Sequence, residues 1–332
     1  MITYWQQEKE KFIKKDEKEL DLEKNTWVDA RCVTRDDIKE LKEKFKIEHE
    51  NVLDFLDPDE LSRIEQADGY ILVIMRLPIY DANTEIAYYT IPLGVIIKDN
   101  YIITICWTDC EVLRDFSANR VKGARLADFP AFMIQILSRS DILFLRYLKE
   151  INRRSSSIQK ELQVSIENKE IIQLLNLEKS LEFFTTSLAN NQVLLEKFKK
   201  TKLLKFDDED QDWLEDVEVD NRQAIGMADT YSNILSGMMD AFASVISNNL
   251  NIVMKKLTIV NIVIMIPTFI VSFFGMNIAL PLQNSGKLGM LIVILVCIFS
   301  TVIASVIFSK SSSSIQQAKR PRRKKNRERK RK

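Results

Sequence analysis

The stretch NIVMKKLTIVNIVIMIPTFIVSFFGMN, Asn251 to Asn277, decides how the rest of the chain is read. After Lys256 it carries no charge, and the uncharged run continues to Gly286. Lys287 interrupts it, and a second uncharged run extends from Leu288 to Ser309. A helix needs roughly 20 apolar residues to cross the hydrocarbon core. Two such runs at the end of an otherwise charged chain predict two transmembrane helices. Two buried core helices are the alternative, but core helices of this length seldom lack charge all round.

The charge distribution sets the expected orientation. Residues 310–332 hold 12 Lys and Arg against one acid, Glu328. The overall charge of +1 therefore leaves the first 309 residues at −10. Basic residues beside a span stay in the cytoplasm. The C-terminus is thus expected inside, and two spans put the large N-terminal part inside as well. A short loop, about Gly275 to Lys287, is expected outside the plasma membrane. The opening MITYWQQEKEKFIKKDEKE is polar and charged, so no leader is expected. Cys32, Cys106, Cys110 and Cys297 show no metal spacing, and His49 is the only histidine. Imidazole zinc sites and histidine acid–base catalysis are therefore disfavoured. There is no phosphate-cradling glycine loop and no nucleophile arrangement, so an enzyme is not expected.

Upstream, the first 25 or so residues read as a polar helical or frayed lead-in. Strands are predicted at Trp27–Ala30, Tyr70–Leu77, Ile86–Thr90, Leu93–Ile97 and Tyr101–Cys106. Thr34 N-caps one helix, with Asp36 and Asp37 in its first turn. Short helices come next, near Asn51–Leu56 and from Glu111. The expectation is an α+β cytoplasmic domain, an αβα-type sandwich, over 1–125. A helical pair is expected over 126–205, interrupted by the acidic FDDEDQD from Phe206. From Trp213 helical periodicity has no strong break before Pro267. One stalk helix over 213–274 is predicted to enter the membrane at about 254. The outer loop (275–287), second span (288–309) and basic tail (310–332) complete the chain.

One face of that helix, at alternating steps of four and three, reads Asp240, Ser244, Ser247, Asn251, Met254, Thr258, Asn261, Met265, Thr268 and Ser272, with Leu257 at its border. A 3.5-residue period marks helices wound around a common axis. Polar groups at membrane depth face a bundle interior or a water-filled path. A pore lining and a helix–helix seam using hydroxyl and amide glue both fit this pattern.

The residues just beyond Ser272 separate the two. Phe274-Gly275-Met276-Asn277 ends the first span, and it resembles the signature of the CorA family of magnesium channels, usually Tyr-Gly-Met-Asn. Leu235 to Asp240, Asn251 to Ile259 and Pro267-Thr268-Phe269 resemble that family's stalk-to-pore helix. Asp54-Phe55-Leu56-Asp57-Pro58-Asp59-Glu60 to Arg63-Ile64-Glu65 resembles its cytoplasmic domain. The resemblance covers all but the longer basic tail and is most specific over the last 120 or so residues.

It implies a funnel-shaped homopentamer conducting Mg²⁺, with Co²⁺ or Ni²⁺ as further cargo. Gly275, Met276 and Asn277 would form the filter, with Gly275 permitting backbone geometry that other residues resist. The polar stripe would line the pore. Met254, Leu257 and Met265 would be an apolar gate, with Asn251 and Asp240 ringing the cytoplasmic end. Mg²⁺ sheds water reluctantly, so neutral amide oxygens suit its hydration shell. The family also implies regulatory Mg²⁺ between neighbouring cytoplasmic domains. Asp216 matches its stalk ligand, and Asp220, Asp81 and Glu85 are weaker candidates. A solvated acidic face of Glu215, Asp216, Glu218 and Asp220 is the plainer account. The outer loop departs from the family: it has no acid and one lysine, which removes electrostatic concentration of cations there.

Three other readings compete. One is a relative that moves Zn²⁺ or another divalent ion, disfavoured by Met276 and the scarcity of histidine. Another is a non-conducting, membrane-anchored Mg²⁺ sensor. The third is nucleic-acid binding by the tail, which lacks interleaved aromatics. Contact of the tail with anionic lipid headgroups is expected instead.

Overall fold

The computed structural model describes residues 2–164, 168–276 and 286–318. It divides into two compact units, Met1–Ala241 and Phe242–Lys332.

The first unit is built on one seven-stranded sheet. Its strands are β1 (Ile2–Glu8), β2 (Lys11–Lys15), β3 (Thr26–Arg31), β4 (Arg63–Ala67), β5 (Tyr70–Tyr80), β6 (Tyr88–Lys98) and β7 (Tyr101–Cys106). They lie in the order β2-β1-β3-β7-β6-β5-β4. The β3–β7 pair is parallel and the other pairs are antiparallel. Helices α1 (Arg35–Phe45) and α2 (His49–Asp54) cover one face. Ile38, Leu41, Phe45, Val52 and Phe55 pack there on Val28, Leu72, Ile96, Ile103 and Ile105. The other face carries α3 (Glu111–Ser117), α4 (Phe129–Val164) and α5 (Asn168–Lys200). The alternation of side chains along a strand sends Trp27 to this second face. Its ring meets Phe12 at 5.5 Å and Phe132 at 5.7 Å, and its indole N–H donates to Thr104 at 2.9 Å. This is the expected αβα sandwich.

The N-terminus differs from the expected lead-in. β1 and β2 form a hairpin whose turn puts Lys9 and Glu10 at φ 46° and 66°. Both residues take positive φ without glycine, so the usual Asn-Gly turn signal is missing. The two strands predicted on either side of Pro92 are one strand, β6. Pro92 pairs with Arg76, whose own N–H and C=O turn away from β6. The Asn191 amide on α5 takes their place in the ladder, accepting from the Arg76 N–H and donating to its C=O, both at 2.8 Å. Pro92 therefore sits where no N–H is required.

At Gly94 the sheet backbone lies close against the helix layer. A Cβ there would lie 2.1 Å from Cγ of the buried Phe55 ring. Gly94→Ala is expected to lower stability by about 1–3 kcal/mol, the usual range for overpacking. A clear drop in the thermal midpoint of the purified chain is the expected reading; an unchanged midpoint would contradict this seating of Phe55.

The long helix α6 (Asp208–Phe274) is continuous over 67 residues, roughly 100 Å at 1.5 Å per residue. It starts five residues before the predicted Trp213. Asp207 and Asp210 explain the start: the Asp210 N–H donates to Asp207 Oδ1 at 2.7 Å, and the Asp207 N–H donates back to Asp210 Oδ2 at 3.3 Å. This reciprocal cap satisfies orphan donors of the first turn. In the second unit, α7 (Gly286–Ala318) contains the second apolar run. Two helices in all are long and apolar enough to cross a membrane among the described residues.

Candidate functional site

The polar stripe lies on α6 without a break from Asp240 to Ser272. From Ser247 to Ser272 every member of the stripe is exposed in the single chain, and so are the apolar Phe269 and Val271 that flank it. The stripe is thus distinguished by its chemistry rather than by burial. Thr258 donates its hydroxyl to the Met254 carbonyl at 2.8 Å, and Thr268 to that of Ile264 at 2.8 Å. With the proton committed to the backbone, each hydroxyl presents lone pairs outward. These threonines therefore offer acceptors, which suit a cation or its water shell.

α6 ends at Phe274, and the Gly275 N–H closes its last turn on the Val271 carbonyl at 2.9 Å. The Met276 N–H reaches the Phe273 carbonyl at 3.4 Å. The C-terminal end of a helix carries partial negative charge, which favours a cation. The unusual backbone geometry expected of Gly275 is not found, since its φ is not among the positive ones. A Cβ there would instead stand 3.4 Å from the Val271 carbonyl oxygen and 3.5 Å from that of Ser272. Both are ordinary contact distances, and both oxygens accept from the Gly275 N–H, at 2.9 and 3.2 Å. Asn277, the third member of the tripeptide, and the loop to Ser285 lie outside the described residues, as does the tail from Lys319.

The structure does not gather the predicted regulatory carboxylates into one cluster within a chain. Asp216 is exposed on α6, and Asp220 is half-buried one turn later. Asp81 sits at the β5–β6 connection, where its carboxylate accepts from the Asn83 N–H at 2.9 Å and side-chain amide at 3.1 Å. Glu85 is exposed in the same connection, and its carbonyl accepts from Asn176 at 3.1 Å. Among the described residues, the carboxylates that do converge are Asp128, Asp207 and Asp210. Asp207 and Asp210 form the α6 cap, Asp128 accepts from the Ala131 N–H at 3.3 Å, and Arg125 donates to Asp210 at 3.3 Å. Their arrangement is that of two helix starts tied by an arginine.

Two features escape the sequence reading. The first is Glu218 on α6, which leaves the expected solvated acidic face: it is buried and bound by Lys199, Arg222 and Gln192. The hydrogen bond from the Lys199 ammonium, above all, holds it down at about 2. A depressed carboxyl contributes stability above its ordinary value near 4.3, which is lost as pH falls toward 2. Glu218→Gln should therefore show a shallower fall in thermal midpoint between pH 5 and pH 2 than the parent. Parallel curves for the two proteins would remove Glu218 from the acid response. The second feature is Asp141, a carboxylate in the buried row of α4. Its signal in the sequence is an acid at a helical core position, between Leu137 and Phe144.

Comparison with known proteins bears on the whole of this arrangement. A family model described as CorA-like Mg2+ transporter protein matches residues 23–310. The chain is 26% identical over 290 residues to the cobalt/magnesium transport protein CorA of Methanocaldococcus jannaschii, covering 86% of this chain and 90% of that one. It is 24% identical over 293 residues to the protein of the same name from Thermotoga maritima, covering 86% and 82% respectively. The complete structure of the M. jannaschii CorA magnesium transporter superposes with a TM-score of 0.77 at 24% identity, over 94% of this chain and 98% of that one.

Proposed function

The chain belongs to the CorA-like Mg2+ transporter family, and from that membership we propose that it is a homopentameric channel admitting Mg²⁺ across the plasma membrane. Membership makes it a membrane protein and a transporter of divalent cations. The observation that carries the finer reading is the polar stripe on α6, which runs to within two residues of the helix end at Phe274 and presents the acceptor oxygens of Thr258 and Thr268. Five copies around an axis would enclose a path of amides and hydroxyls, with Asn277 at its outer end. Such groups hold a hydrated cation loosely enough for it to leave. The apolar members Met254, Leu257 and Met265 would close the path when no ion passes. Both termini are assigned to the cytoplasm by the basic tail, whose contacts we assign to anionic lipid.

Uptake of Mg²⁺ by purified protein in liposomes, at controlled voltage and pH, tests this reading. Saturable Mg²⁺ entry is expected. Protein that inserts and assembles but passes Zn²⁺ and not Mg²⁺, or passes neither, would overturn it.

Feedback by internal Mg²⁺ is assigned to Asp216, exposed on α6 and so available to a neighbouring subunit. Asp81, Glu85 and Asp220 are candidate partners for it. A metal that binds the closed state better stabilises that state by its differential affinity. Asp216→Ala should retain transport and need several-fold more internal Mg²⁺ to suppress it. Superimposable inhibition curves for variant and parent would remove Asp216 from the site.

A further inference from the structure

In the first unit, a cavity of about 250 Å³ is walled by three cations and, among the described residues, by no acid. It lies where the segment after α3 meets α4 and the start of α6. That segment gives Arg120 and Lys122, α4 gives Gln135, Arg139 and Ile142, and α6 gives Trp213.

The cationic end is held in place. The buried Asp115 carboxylate accepts from Arg120 Nη1 at 3.2 Å and from Arg139 Nε at 2.8 Å. The backbone that carries Arg120 and Lys122 is tied down on both sides. The Arg120 N–H donates to the Asp115 carbonyl at 2.8 Å. Beyond Lys122, the Gln135 side chain donates to the Gly123 carbonyl at 2.7 Å and accepts from the Arg125 N–H at 3.0 Å. One carboxylate does not neutralise three cations: Arg120, Lys122 and Arg139 against Asp115 leave a net of +2 around the cavity.

The other wall is apolar and aromatic. Ile142 is 45% exposed on a helix whose neighbouring Asp141 and Leu143 are buried. The Arg125 guanidinium stands 5.2 Å from the centroid of the Trp213 ring and donates to Asp210 at 3.3 Å and to Glu209 at 3.2 Å. The indole is thereby fixed beside the cavity. A set of charges alone needs only water around it; a rigid indole and an uncovered Ile142 beside it suit a ligand with an anionic head and a flat body.

We propose that this cavity binds a nucleoside monophosphate, with its phosphate on Arg120, Lys122 and Arg139 and its base against Trp213 and Ile142. A phosphate monoester carries about −1.5 to −2 charges at neutral pH, which matches the excess on the protein. Guanidinium forks bind phosphate oxygens in pairs. Any base stacks on an aromatic side chain, because each has a π-face. Ligand pockets commonly start at roughly 300 Å³, so this one suits a monophosphate better than a longer polyphosphate. All the groups come from one chain, and none belongs to the stripe on α6 or to the carboxylates assigned to feedback.

Calorimetric titration of the purified full chain with AMP, in EDTA so that no metal takes part, tests the site. Saturable binding of one AMP per chain is expected. Inorganic phosphate should compete only at higher concentration, and adenosine should bind weakly. Arg120→Ala and Lys122→Ala change exposed side chains, and each should weaken AMP about tenfold, the loss of one charge-assisted contact. Trp213→Leu should weaken AMP and leave phosphate unchanged. Absence of saturable AMP binding by the folded parent would overturn the proposal. So would equal affinities for AMP and phosphate that Trp213→Leu does not alter, since the cavity would then be a simple anion site. Should Trp213→Leu fail to fold, Ile142→Asn at the exposed wall decides: weaker AMP with unchanged phosphate supports the site, and unchanged AMP refutes it.

Discussion

Replacing Asn277 with alanine should reduce Mg²⁺ uptake to near background while the assembly survives. The side chain ends in a carbonyl oxygen and an amide. Five of them around an axis would offer five neutral acceptors to the waters of a Mg²⁺ ion. In the sequence they come three residues after the end of α6 at Phe274. Alanine removes the acceptors and changes nothing else in the chain. Asn277→Asp would place five like charges around the same axis. It should bind cations more strongly but release them more slowly. Uptake in liposomes, beside cross-linking to count subunits, gives the answer. Parental uptake by a normally assembled Asn277→Ala protein would mean that the tripeptide is not the filter, and the proposed conduction mechanism would have to be withdrawn.

The second large effect is in the opposite direction. Met254→Asp or Leu257→Gly should raise resting Mg²⁺ flux several-fold. Both side chains, like that of Met265, are apolar on a stripe whose other members are hydroxyls, amides and the Asp240 carboxylate, and both are 54% exposed in the single chain, so neither is needed to pack its own subunit. A narrow apolar ring excludes water and with it a hydrated cation; a polar or smaller residue lets water back in. Resting flux with internal Mg²⁺ held at its inhibitory level, measured at fixed voltage, reads this directly. Well-folded variants with flux at or below the parental level would place the gate elsewhere.

Much of this is legible in the sequence because it rests on local periodicity. The two apolar runs, the polar stripe and the long helices depend on spacing alone, and α4 to α6 fall close to where the spacing puts them, while α7 runs on to Ala318, nine residues past the predicted end of the second span. The N-terminal hairpin is not legible. Its turn, Lys9-Glu10, has residues that give no hint of positive φ, and its strands are crowded with lysine and glutamine or glutamate. Pro92 misleads for a different reason: whether a proline interrupts a strand depends on which way its nitrogen points, and that is set by register with Arg76. Of the site, the stripe and the Gly275-Met276 end are local and can be read directly. The Lys199–Glu218 contact joins residues on different helices, α5 and α6, and the isolation of Asp141 arises from tertiary packing. Neither leaves a trace in composition.

The amide of Asn191 has a consequence for how copies of this protein can meet. β4 stops opposite Ile74, so the backbone of β5 beyond it would be an open edge, ready to recruit a strand from another molecule. Asn191 occupies that edge at Arg76 with both of its polar atoms. At the far side of the sheet, β2 presents Lys11, Lys14 and Lys15, whose charges discourage pairing. Strand pairing between copies is thereby discouraged at β2 and at Arg76, and the short β4 is the edge on which a further strand has backbone to pair with.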